Sequence, residues 1–198
     1  LAYTLAALGT KQLLFSIAAR DSTTYNDLKK GTVPYADAIA QVTAAYNWCV
    51  ANGVTYECLA LVCIHGEADA AFLNVNYATN LATWQADFKS DINTITGRTD
   101  NIRLFLTQQT SSAPSIDGAA SSSIANYVAW KADNAKIVMV GPRYFSWGQK
   151  TDGGLVHQAN HSQRWLGSII ANAIYNREVL ANTWKPLTPI AGQITRVN

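Results

Sequence analysis

Four short apolar runs punctuate this chain: QLLFSIA from Gln12 to Ala18, CLALVCI from Cys58 to Ile64, IRLFLT from Ile102 to Thr107 and KIVMV from Lys136 to Val140. Each is too short for a globular helix. Unbroken apolar runs of this length suit strands buried on both faces. The stretches between them carry apolar residues at steps of three and four, the period of helices that cover a sheet. The pattern therefore predicts an α/β fold, a three-layer α/β/α arrangement around a mostly parallel, doubly wound sheet.

The helical stripes can be named. Tyr35, Ile39, Val42, Tyr46 and Val50 mark one helix, and Tyr77, Leu81, Trp84, Phe88, Ile92 and Ile95 mark a second. A third is expected from about Ala119 to Lys131 and a fourth from about Ser162 to Leu180, with Trp165, Ile169, Ala173 and Ile174 facing inward. Gly53 and Gly97 follow two of these helices as C-terminal caps do. The segments Thr110 to Ser123 and Trp147 to Leu155, rich in Ser, Gly and Pro or in Gly, read as loops.

At 198 residues the chain has the length of one domain. No apolar stretch approaches the roughly 20 residues of a membrane span, so membrane insertion is not expected. A net charge of +2, with Lys and Arg scattered apart from Lys29-Lys30, gives no support to nucleic-acid binding. Cys49, Cys58 and Cys63 lie in apolar settings without metal-ligand spacing, and are expected to be free thiols of a protein made in a reducing cytoplasm. The chain opens at Leu1 inside an amphipathic pattern, as a fragment of a longer polypeptide would. Its last segment, WKPLTPIAGQITRVN, reads as an exit toward something further on.

In doubly wound folds the chemistry gathers on loops at the C-terminal ends of strands, and two such loops hold every histidine. The second apolar run ends in His65-Gly66-Glu67-Ala68-Asp69; the loop after the fourth leads through Asp152 to His157 and on to His161. An Asp followed by a His across a glycine-containing loop can serve acyl transfer from serine, the carboxylate orienting an imidazole that takes the nucleophile's proton. A turn-capping Asp152 and a surface His157 fit the same spacing. Glu67 and Asp69 could join His65 around a divalent ion; alternatively Glu67 braces the loops by accepting backbone hydrogen bonds and Asp69 caps the next turn.

The block CIHGEADA resembles the (H/Q)GE(S/A)D block of sialate O-acetylesterase-like carbohydrate esterases in the SGNH hydrolase superfamily. DGGLVHQANHSQRWLG resembles their closing block, and SIAARDSTTYNDLKKGTVPYADAI resembles the segment that reads RGG and then LKKGT in these proteins. The resemblance implies an SGNH/flavodoxin-like fold across residues 1–183, lacking its first block, with 184–198 as an exit segment. It makes His157 the general base and Asp152 its orienting acid. His65 and Gly66 then lie beside the oxyanion site, with Glu67 as the acid of that block, while His161 matches no catalytic position.

The chain departs from the family pattern at three points. No GxS or GQS block is present, Asp21 and Ser22 stand where glycines follow Arg20, and the gap from Asp152 to His157 is longer than DxxH. Two readings of the nucleophile stay open: a serine preceding Leu1, or Ser22 in an Asp-Ser-Thr turn. The resemblance implies a serine esterase that removes O-acetyl groups from a surface polysaccharide, with no cofactor and no metal. The LKKGT and WKPL segments look like those of phage tail fibres and tailspikes, which implies a virion tail location and a homotrimer. A non-catalytic carbohydrate-binding or structural tail-fibre domain is the alternative, with Trp147 as its sugar-facing candidate, and a hydrolase using a metal on His65, Glu67 and Asp69 comes third.

Overall fold

The computed structural model describes residues 12–109, 121–143 and 159–186. Among them, helices α1 (Tyr25–Leu28) and α2 (Val33–Ala51) precede strand β1 (Leu61–Cys63), and α3 (Glu67–Ala71) and α4 (Tyr77–Thr96) lead to β2 (Leu104–Gln108). Helix α5 (Ser122–Ala132), β3 (Ile137–Pro142) and α6 (Asn160–Ile174) follow, and α6 widens into a π-helical turn, Tyr175–Val179. The strands are parallel in the order β1-β2-β3, with Leu61 opposite Leu104 and Leu104 opposite Ile137.

Strand alternation divides the core into two faces. Leu104, Leu106, Ile137 and Met139 point to one side, where Tyr77 and Leu81 of α4 and Ala125 and Ala129 of α5 cover them. Phe105, Val138 and Val140 point to the other, against Leu166, Ile170, Ala171 and Ile174 of α6. This is the three-layer α/β/α architecture that the alternating runs predict. No helix of the described residues is long and apolar enough to cross a membrane.

Three details differ from the sequence expectations. Gln12 to Ala18 forms no strand: Leu13 packs on the α6 face, whereas Leu14 and Ile17 are exposed, and Ser16 and the carbonyl of Ile17 bond to Gln41 of α2. Apolar character gave this run the look of a strand, but a strand needs a ladder partner. Trp165 is 55% exposed, because the inward stripe of α6 runs through Leu166 and Ile170, one position further on. Val50, at the end of the α2 stripe, is also exposed, and only Tyr35 and Ala38 of that helix are fully buried.

Helix α4 follows its predicted stripe at Tyr77, Leu81 and Ile92 and ends at Gly97, whose φ of 66° is the left-handed cap conformation. It also buries Gln85, whose side-chain amide donates to the carbonyl of Ile102 at 2.7 Å and so ties the helix to the start of β2. The three cysteines are free thiols. Burial pushes the Cys63 thiol up to about 12 and the Cys58 thiol up to about 11, so neither is a nucleophile near neutral pH.

Candidate functional site

The C-terminal ends of all three strands are joined by one chain of polar contacts. After β1 comes His65, after β2 Gln109 and after β3 Arg143. The Gln109 side-chain amide donates to the carbonyl of His65 at 2.5 Å, and its oxygen accepts from the Arg143 guanidinium. Arg143 also donates to Glu67 at 3.2 Å, and its backbone N–H donates to the carbonyl of Gln108. Arg143 is 4% exposed and Gln109 2% exposed. Burial pulls the guanidinium downward from its ordinary range, and the Glu67 carboxylate works against that pull.

His65 is held at both ring nitrogens. Nε2 lies 2.9 Å from the carbonyl oxygen of Thr23, which can only accept, so Nε2 carries the proton. Nδ1 then accepts from the hydroxyl of Tyr77 at 2.8 Å. Burial raises the Tyr77 hydroxyl well above its ordinary value, which keeps it a donor. Tyr77 also hydrogen-bonds Cys63, so a continuous path runs from the buried face of β1 to the loop before α1. In this arrangement His65 pins two loops together.

Gly66 stands at the turn into α3 with φ at 132°, which L side chains rarely adopt. A Cβ there would sit 3.0 Å from Cβ of Ser122 and from Cε1 of Tyr77. Conformation and space both require glycine at this position.

Glu67 and Asp69 do not divide the work as the bracing alternative expects. Glu67, expected to accept from backbone, instead faces the Arg143 side chain. Asp69, expected to cap the next turn, is 1% exposed and accepts the backbone N–H of Tyr25 across the loops at 2.9 Å and the Asn74 amide at 2.5 Å. Glu67 faces Arg143, whereas Asp69 Oδ2 lies 3.7 Å from His65 Nε2, and the described residues contain no group of three or more His, Cys, Asp and Glu able to hold a metal ion.

Ser22 is exposed, in a turn closed by the Thr23 hydroxyl donating to the carbonyl of Arg20 at 3.0 Å. Its φ is 55°. The left-handed region costs a non-glycine residue about 1–2 kcal/mol, so this turn keeps the backbone shape that a glycine would adopt freely. The next residue, Thr23, supplies the carbonyl that His65 contacts, which brings the Ser22 turn beside the end of β1.

Asp152, His157 and Trp147 lie outside the described residues, as does the exit segment beyond residue 186. His161 is exposed in the first turn of α6. Trp184 packs against the α6 face of the core and donates from Nε1 to the carbonyl of Val140 at 3.0 Å. Sequence reasoning missed Arg143, Gln109 and Tyr77. The signal for Arg143 was a cation three residues after an apolar run, KIVMVGPR, at the strand end where such folds gather their working groups.

No protein-family model matches the chain, and no curated protein matches it. Among solved structures, its fold is similar to the X-ray structure of a protein from Arabidopsis thaliana, with a TM-score of 0.59 over 79% of this chain at 14% sequence identity. The match spans 58% of the length of that Arabidopsis protein. At this identity the likeness is one of fold, the same layered α/β arrangement that the strand order describes.

Proposed function

We propose that this chain belongs to a serine esterase of the SGNH type that removes O-acetyl groups from a carbohydrate. The observation that supports this reading is the buried bridge from Glu67 through Arg143 and Gln109 to His65, at the mouth of a parallel sheet where such folds keep their chemistry. From Arg143 the chain runs on in sequence to Asp152 and His157.

In this mechanism a serine oxygen attacks the acetyl carbonyl carbon while His157 takes the hydroxyl proton. The tetrahedral adduct collapses, the bond to the sugar oxygen breaks, and His157 returns the proton to that oxygen. Water then attacks the acetyl-enzyme by the same route and acetate leaves. Asp152 orients the imidazole, and donors near His65 and Gly66 hold the oxyanion. The nucleophile is Ser22 or a serine elsewhere in the full-length polypeptide. A virion tail is the setting proposed for this activity, on a surface polysaccharide.

The test is acetate release from an acetyl ester by the full-length polypeptide and by its His157→Ala variant. A loss of at least about a thousandfold is expected in the variant. Equal rates in the two would sink the esterase and leave a carbohydrate-binding or structural domain; abolition by a chelator alone would favour a metal hydrolase. A serine-directed phosphonate followed by peptide mapping locates the nucleophile.

A further inference from the structure

A cavity of about 470 Å³ opens between the start of α1 and the loop that joins α3 to α4, lined by Thr24, Asn26, Asp27, Asp69, Phe72 and Asn74. Its two walls are tied together through Asp69, which takes the N–H of Tyr25 from one wall and the Asn74 amide from the other. The α3–α4 loop is further fixed by the N–H of Asn74 on the Asp69 carbonyl and the N–H of Asn76 on the Asn74 side chain. A ligand entering here would meet walls already in place, and so would lose little free energy in ordering them.

That fixed loop bears two costs that packing does not explain. Leu73 adopts φ of 55°, a left-handed conformation unfavourable to a branched side chain, and the loop exposes Phe72 at 75%, Leu73 at 61% and Val75 at 61%. Backbone strain and a cluster of exposed apolar side chains on a short rigid loop together mark a contact surface.

The lining defines the ligand. Phe72 offers a flat apolar face, Asn26 an amide and Asp27 a carboxylate, while the Thr24 hydroxyl proton is committed to Asp27 and the Asn74 side chain to Asp69 and Asn76. Both hydrogen bonds to Asp27 fall on Oδ2, from the N–H and the hydroxyl of Thr24, which leaves Oδ1 to accept from a ligand hydroxyl. The Lys29 ammonium stands beside the lining, on the Asn26 amide oxygen at 3.0 Å. A ring with an apolar face and a rim of hydroxyls fits this set.

We infer that this cavity is a subsite for a glycosyl residue, with Phe72 as its stacking wall and Asp27 Oδ1 as the acceptor of a sugar hydroxyl. The inference rests on the esterase reading for placing a glycan at this end of the molecule, but binding here needs no acetyl group and no catalysis.

The test uses the full-length polypeptide and an array of defined, unacetylated oligosaccharides, neutral and carboxylated, followed by calorimetric titration with the best binder. Phe72→Ala is expected to weaken binding about tenfold, an aromatic contact's worth, with an unchanged thermal midpoint because the side chain is exposed. Asp27→Asn is expected to weaken binding several-fold, because a neutral amide oxygen accepts a sugar hydroxyl less strongly than a carboxylate. Absence of any binder, or equal affinity in Phe72→Ala, would overturn the subsite. So would loss of self-association in Phe72→Ala without any effect on glycans, which would make the loop a protein-docking surface. Glycan binding that depends on Phe72 while His157→Ala leaves ester hydrolysis unchanged would keep the subsite and reject the esterase.

Discussion

Two arginine–glutamate pairs sit at opposite ends of the sheet, and their burial is reversed. Arg103, just before β2, donates from Nη1 to both carboxylate oxygens of Glu178 at 2.9 and 2.7 Å and from Nε to the carbonyl of Ala135. There the side chain of Arg103 is 20% exposed and that of Glu178 11%. Arg143, just after β3, meets Glu67 at 3.2 Å, with the arginine side chain 5% exposed and the glutamate 28%. One pair buries its anion more deeply and clamps it from two lone-pair directions. The other buries its cation more deeply and divides it between a carboxylate and an amide.

The difference separates a latch from a positioned charge. The Arg103 pair fastens the π-helical turn after α6 to the α5–β3 connection, and its geometry serves that grip. The Arg143 pair holds a guanidinium against burial at the mouth of the sheet. Breaking a buried pair costs most when the mutation strands the more buried partner, because water cannot reach the charge left behind.

The largest effect tests the backbone under the second pair. Gly66→Ala should lose about 4 kcal/mol, from a forbidden φ and from overpacking against Ser122 and Tyr77. The urea midpoint should fall with little change in slope. A loss below about 1 kcal/mol would mean that the turn relaxes easily and that Glu67 is not held beneath Arg143.

The next effects test the asymmetry itself. Glu67→Gln removes the carboxylate facing the more buried cation and should cost about 3 kcal/mol, whereas Glu178→Gln leaves a better-solvated arginine and should cost about 1 kcal/mol. Arg103→Met, which strands the more buried glutamate, should fall between them. Similar costs for the two glutamine variants would erase the distinction drawn between the pairs.

The smallest effect is read from pH. Burial, with Glu67 as the next contributor, raises the Cys63 thiol from 9.0 up to about 12. The folded state keeps a proton that the unfolded chain gives up, so stability is full below pH 9 and declines as pH rises toward 12. By pH 10 the loss due to this thiol should be about 1 kcal/mol, and Cys63→Ala should flatten the urea midpoint against pH by that amount. A wild-type profile as flat as the variant's would deny the burial of this thiol.

How much of this was legible in the sequence differs by element. The runs that became β2 and β3, and the stripe of α4, were readable because their apolar residues form a single unambiguous pattern. Helix α6 was readable as a helix but not in its phase: Trp165 with Ile169 and Leu166 with Ile170 are adjacent stripes, and period alone does not choose between them. Gln12 to Ala18 looked like a strand because composition reports burial preference and not the presence of a ladder partner. The loop after β1 announced itself through His65-Gly66-Glu67. Its partners Gln109, Arg143 and Tyr77 did not, since contacts between distant strand ends leave no mark on local spacing.

The indole of Trp184 has a consequence for how the described chain is closed. Its ring packs on the α6 face of the core, and its N–H rests on the carbonyl of Val140 at 3.0 Å. The chain after the π-helical turn is thereby stitched back to β3, and fraying of that segment must break this bond and wet the indole.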